Sequence, residues 1–254
     1  MVDLAEPATR KVFFDLHSDL PREGPGNRAC TLRALAAVGP LPEAPRILDM
    51  ASGPGMQTLD LARALPGAHI TALDAHAPFL AELNRRAIAA DCQDRIRTLR
   101  GNMASPPTDL GPFDLIWCEG AVYMLGIAEA LRLWRPLLKP GGFIAFTEPV
   151  WLRPDPPERA LRNWIDCPAM TDITGINAQV RDAGYEVLDT FTLPPEAWWD
   201  DYYGPLEARV PLLRAKYGND PIAKEVLDAA DNEVEAYRRH ADVFSYEFVI
   251  ARSL

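Results

Sequence analysis

Residues 47–58 read Ile47-Leu48-Asp49-Met50-Ala51-Ser52-Gly53-Pro54-Gly55-Met56-Gln57-Thr58: an apolar run, an acid, a glycine turn and the start of a helical pattern. Glycines in such a turn let a ligand approach the backbone, and the helix that follows presents free N–H groups. A lone G-x-G also fits a plain strand-to-helix turn, so its meaning depends on what comes next. About twenty residues on, Ile70-Thr71-Ala72-Leu73-Asp74 closes a second apolar run with an acid. That carboxylate either accepts from two ribose hydroxyls or caps the next helix.

Outward from this core, short apolar runs alternate with amphipathic stretches, the pattern of a βαβ chain with a parallel sheet. Strands are predicted at Arg46–Ala51, His69–Asp74, Ile96–Gly101, Phe113–Cys118, Gly142–Thr147, Glu186–Leu193 and Asp242–Arg252. Helices are predicted at Met56–Leu65, Pro78–Ala90, Ile127–Leu138 and Ile176–Ala183, with Gly67, Gly141-Gly142 and Gly184 where helices stop. Right-handed crossovers leave ligands the crevice beyond the carboxyl ends of the strands.

Two regions fall outside this scheme. Residues 1–41 carry a helix from Asn27 to Val38 and are expected to cap a main domain of residues 42–254. Residues 194–240 hold two helices, Pro205–Tyr217 and Pro221–Arg239, behind Trp198-Trp199-Asp200-Asp201-Tyr202-Tyr203. An insertion there, between strands six and seven, is expected to form a lid.

A net charge of −10 over 254 residues repels phosphate backbones and anionic headgroups, which argues against nucleic acid or a membrane as partner. The Arg85-Arg86 and Arg238-Arg239 pairs read as solvated helix faces. Cys30, Cys92, Cys118 and Cys167 are dispersed, and the four histidines have no metal spacing, so neither zinc nor a disulfide framework is expected. With no apolar run of membrane length, a cytoplasmic protein is expected. Oligomeric state stays open.

The chain resembles the class I S-adenosylmethionine (SAM) dependent methyltransferases over most of its length. The matching pieces are Leu48–Gly55, Leu73-Asp74, Gly101-Asn102-Met103, Phe113–Gly120 and Leu137-Leu138-Lys139-Pro140-Gly141-Gly142-Phe143, in that order. Within the superfamily it looks most like bacterial small-molecule enzymes related to the ubiquinone/menaquinone C-methyltransferase group. The resemblance implies a Rossmann-like α/β fold: seven strands, mostly parallel, helices on both faces and the last strand antiparallel. It implies SAM as cofactor, with S-adenosylhomocysteine as product. Asp49 and the backbone of Ala51, Ser52, Gly53 and Gly55 would hold the methionyl part, Asp74 and Ala75 the ribose, and Asn102 and Met103 the adenine. Glu119 would lie beside the methionyl group. Two departures stand out: Ala51 where the family usually has glycine, and Asn102 where it often has aspartate.

Methyl transfer from a sulfonium needs alignment and dryness more than a protein nucleophile. Glu119 and Tyr123 are the candidate catalytic residues. Tyr123, Glu148, Trp151, Trp199, Tyr202 and Tyr203 are candidates for a small-molecule substrate, acids with aromatics being suited to an amine; the aromatics also fit ordinary core packing. Arg22 and Gly26, in Arg22-Glu23-Gly24-Pro25-Gly26, either fold over the cofactor or form a surface loop. Two other readings remain: a non-catalytic SAM- or nucleoside-binding protein, and a nicotinamide-dependent oxidoreductase. Against the latter, Thr58 replaces the third glycine of the dinucleotide fingerprint.

Overall fold

A computed structural model describes residues 3–165 and 167–254; Met1 and Val2, within the expected cap, lie outside the described residues. The sheet has seven strands: β1 (Arg46–Met50), β2 (His69–Asp74), β3 (Ile96–Arg100), β4 (Phe113–Cys118), β5 (Leu138–Trp151), β6 (Tyr185–Thr192) and β7 (Phe244–Ser253). Their order is β3-β2-β1-β4-β5-β7-β6. Only β7 runs antiparallel to its neighbours β5 and β6.

Each central strand is apolar on both faces because both are covered. Ile47, Leu115, Trp117, Phe143, Ala145, Phe248 and Ile250 join one apolar cluster. Their alternates, Leu48, Met50, Ile116, Cys118, Ile144, Phe146, Val249 and Ala251, join another. Helices α2 (Arg28–Ala37), α3 (Met56–Ala64) and α4 (Ala77–Ala89) pack on the first face, and α5 (Ile127–Trp134) and α7 (Ile173–Asp182) on the second.

Several predicted boundaries shift for local reasons. The helix expected through Leu138 ends at Trp134 and tightens into a 3₁₀ turn at Arg135–Leu137, since Pro136 cannot continue the ladder. Strand β5 starts at Leu138 and runs to Trp151, longer at both ends than predicted, because Leu138 pairs with Phe113 and the far end pairs with β7. Helix α7 starts three residues early at Ile173, where Asp172 caps the Gly175 N–H at 2.8 Å. A short α6 (Glu158–Asn163), behind a proline-rich stretch, was not predicted.

The 194–240 region forms α8 (Glu196–Trp198), a π-helical turn at Trp199–Tyr203, α9 (Gly204–Tyr217) and α10 (Pro221–His240). It packs against α1 (Pro7–His17): Arg209 donates to the Leu16 and Asp15 carbonyls at 2.8 and 2.7 Å. Among the described residues no helix is long and apolar enough to cross a membrane.

Candidate active site

The carboxyl ends of β1, β2 and β4 surround the glycine turn. Ser52 N–H donates to the Leu73 carbonyl at 3.0 Å, and Gly53 N–H to Asp74 Oδ2 at 2.8 Å, so the turn is pinned to β2. Gly55 has φ of 79°, and a Cβ there would fall 2.2 Å from Leu83 Cδ1, which excludes any larger residue. Ala51, at the irregular family position, holds φ of 53° and so adopts the left-handed conformation without being glycine.

Asp49 is fully buried. Its Oδ2 accepts from Thr58 Oγ1 at 2.5 Å and Gln57 Nε2 at 3.3 Å. Oδ1 has no partner among the described residues, nor does Ser52 Oγ. Burial pushes the Asp49 carboxyl up to about 7, with nearby Glu119 adding to the rise. Asp74 uses Oδ1 for the His76 N–H at 2.7 Å and Oδ2 for Gly53, and burial raises its pKa. It thus braces both turns without capping α4 directly, and each oxygen retains a second lone pair. Ala75 is exposed beside it. Asn102 is exposed, with Oδ1 accepting the Ala104 N–H at 2.9 Å, and the Met103 carbonyl accepts Trp134 Nε1 at 2.8 Å.

The N-terminal arm closes over this edge. Arg22 is 4% exposed. Its Nη1 donates to Glu119 Oε2 at 2.6 Å and its Nη2 to Thr31 Oγ1 at 3.2 Å and Asp60 Oδ2 at 3.5 Å. Asp201 lies 3.8 Å from its Nε. Gly26 N–H donates to the Ala197 carbonyl at 2.8 Å, and with φ of 152° a Cβ at Gly26 would come within 2.8 Å of Glu119 Oε2. The arm is therefore no surface loop. Nor is Arg86 a solvated face: half-buried, it donates to the carbonyls of Leu20, Pro21 and Pro54, tying α4 to arm and turn. Arg85 beside it is exposed, and Arg238 lies 4.8 Å from the Trp199 ring.

Glu119 is held on both oxygens, its Oε1 also accepting from Trp117 Nε1 at 2.8 Å and Thr31 Oγ1 at 2.9 Å. Glu23, not singled out in the sequence, lies against Gly53, with Oε2 at 2.7 Å from His17 Nδ1 and Oε1 unpartnered among the described residues. Burial raises its pKa. Only its place inside the Arg22–Gly26 segment hinted at it.

Past β4, the 3₁₀ turn Val122–Met124 carries Tyr123, and Glu148 follows on β5. Burial raises Tyr123 to about 12 and Glu148 to about 8. Tyr202 and Tyr203 are buried, and both hydroxyls donate to Glu233 Oε1, at 3.2 and 3.1 Å. Trp151 packs half-buried on Phe244, and Trp199 on Tyr203 and Tyr237. The aromatic segment is thus core packing for the most part. Tyr246, Cys167 and Glu233 join this second group from distant sequence positions that no motif marks.

The fold, the pinned glycine turn and the acid ending β2 define a nucleoside-cofactor cleft. Residues 47–142 match a methyltransferase-domain family, and the fold is that of SAM-dependent methyltransferases. It is 29% identical to the uncharacterized protein YjhP of Escherichia coli over 82% of this chain and 85% of that one. It is 26% identical to a trans-aconitate 2-methyltransferase of Paracidovorax citrulli over 94% and 99%. A SAM-dependent methyltransferase of Thiobacillus denitrificans, solved with S-adenosylhomocysteine, superposes with a TM-score of 0.84 at 22% identity, covering 98% of this chain and 99% of that one.

Proposed function

We propose that the chain moves the methyl group of SAM to a small-molecule acceptor enclosed beneath residues 194–240. The observation that carries this reading is the convergence of unpartnered buried atoms on the glycine turn: Asp49 Oδ1, Ser52 Oγ and Glu23 Oε1. Asp49 is a buried acid lacking a full counter-charge, and a methionyl ammonium supplies one. Asp74 has lone pairs left for ribose hydroxyls, and Asn102 and Met103 stand where the adenine edge would lie. The bound sulfonium supplies an electrophilic methyl carbon and a neutral leaving group.

The protein's own part is placement and exclusion of water. Arg22, held by Glu119 and Asp60, fixes the arm that carries Glu23 over the turn. Glu119, held by Arg22, Thr31 and Trp117, braces the arm against the end of β4. Tyr123 and Glu148 face the acceptor side. Enclosure by α8 to α10 and the arm favours a small acceptor, as does the net charge of −10 against nucleic acid. The dinucleotide reading loses support because Thr58, at the third-glycine position, is committed to Asp49.

Calorimetric titration tests the reading: SAM and S-adenosylhomocysteine should give saturable heats and NAD none. Binding of NAD, with no binding of either SAM or S-adenosylhomocysteine, would overturn it.

A further inference from the structure

Glu148 lies one residue beyond Thr147, whose hydroxyl accepts the Gly120 N–H at 2.7 Å, so it sits beside the end of β4. It is 6% exposed, and among the described residues its Oε2 has no hydrogen-bond partner. The groups within electrostatic reach come from separate elements: Cys118 of β4, Tyr123, Cys167 beyond α6 and Tyr246 of β7. None is a cation. Its cross-strand partner on β7 is a further acid, Glu247, occupied by Thr192 Oγ1 at 2.7 Å. Glu233, exposed on α10, stands at the edge of this group, its carboxylate accepting from the Tyr202 and Tyr203 hydroxyls.

A buried carboxyl without a partner carries a desolvation cost that an N–H-bearing cation would relieve. Aromatic rings around it add attraction for the same charge. An anionic acceptor would meet the buried Glu148 carboxyl, and like charges in a poorly solvated site repel. Tyr202 is within electrostatic reach of Glu23 on the cofactor side and of Tyr123 and Tyr246 on this one.

Resting on the methyl-transfer reading, we propose that the site around the buried, unpartnered Glu148 takes a primary or secondary amine as acceptor, with Glu148 binding the nitrogen and taking its proton. The amine enters as ammonium and pairs with ionised Glu148, which has given its own proton to solvent. The adjacent sulfonium disfavours a second cation, and an N–H proton passes to the carboxylate. The freed nitrogen lone pair then forms the N–CH₃ bond as the S–CH₃ bond breaks. Sulfur keeps that electron pair, and the positive charge moves from sulfur to nitrogen. Glu148 returns its proton to solvent as the methylated ammonium leaves.

The test uses the full chain saturated with S-adenosylhomocysteine, titrated at pH 7 with ethanolamine, phenethylamine and histamine and with the acids glycolate, phenylacetate and trans-aconitate. Calorimetry in two buffers of different ionisation enthalpy counts protons. At least one amine should bind with release of most of a proton, as expected for a carboxyl held near pKa 8, and the acids should not bind. Glu148→Gln should abolish that release and weaken the amine about tenfold, leaving S-adenosylhomocysteine affinity within about twofold. With SAM, the same amine should yield S-adenosylhomocysteine, and Glu148→Gln should cut kcat/KM roughly 100-fold. Binding of acids alone, binding of no amine, or an unaltered Glu148→Gln would overturn the amine assignment while leaving methyl transfer standing. No saturable heat with S-adenosylhomocysteine itself would overturn both.

Discussion

Ala51 holds the left-handed backbone at φ of 53°, where a Cβ costs about 1–2 kcal/mol. Ala51→Gly should therefore stabilise the protein by about 1 kcal/mol, a rise in Tm of roughly 2–4 °C in a chain of this size; an unchanged or lower Tm contradicts the strain. Asp49, raised to about 7 by burial, must be ionised to pair with a methionyl ammonium. Affinity for S-adenosylhomocysteine should fall as pH drops below 7, and Asp49→Asn should flatten that profile in calorimetry. Arg22, Glu119, Thr58, Gln57 and Cys118 face the same carboxyl and set its midpoint. For Glu148 the sign runs the other way with respect to stability. Its folded pKa near 8 lies above the ordinary 4.5, so the folded state binds more protons between those values and stability falls as pH rises through that window. The Tm of Glu148→Gln should exceed that of the wild type by more at pH 8 than at pH 5, and a constant difference would contradict the orphaned carboxyl.

At the scale of elements, the arm Arg22–Gly26 joins the end of β4, α2 and α3 through one buried guanidinium, and α8 through the Gly26 N–H. Arg22→Met strands Glu119 and Asp60 without their buried cation and should cost about 3–5 kcal/mol in chemical denaturation. The affinity for S-adenosylhomocysteine should weaken with it, and adding Glu119→Gln should recover part of the stability. Full affinity in Arg22→Met would dissociate the arm from the cofactor. None of this pairing was legible, since Arg22 and Glu119 stand 97 residues apart and only folding joins them. The glycine turn and the acid ending β2 were legible because motif and function share one short segment. Strand β5 was read short at its start because Lys139-Pro140-Gly141-Gly142 carry turn chemistry that pairing with β4 overrides.

Across the whole molecule, the helices of residues 194–240 pack on α1, with Arg209 donating to its carbonyls and Lys216 to the Asp15 carboxylate. The seven strands were legible as alternating apolar runs, because both faces of the central strands are covered, whereas their order in the sheet emerged only from the structure. The surroundings proposed for the acceptor were not legible: Tyr246, Cys167 and Glu233 come within reach of Tyr123 by tertiary packing, with no spacing to announce them. The most direct measurement incubates the protein with methyl-labelled SAM and a size-fractionated cell extract. Label should appear in the low-mass fraction with equal release of S-adenosylhomocysteine; label confined to nucleic acid or protein, or no transfer at all, would contradict the account.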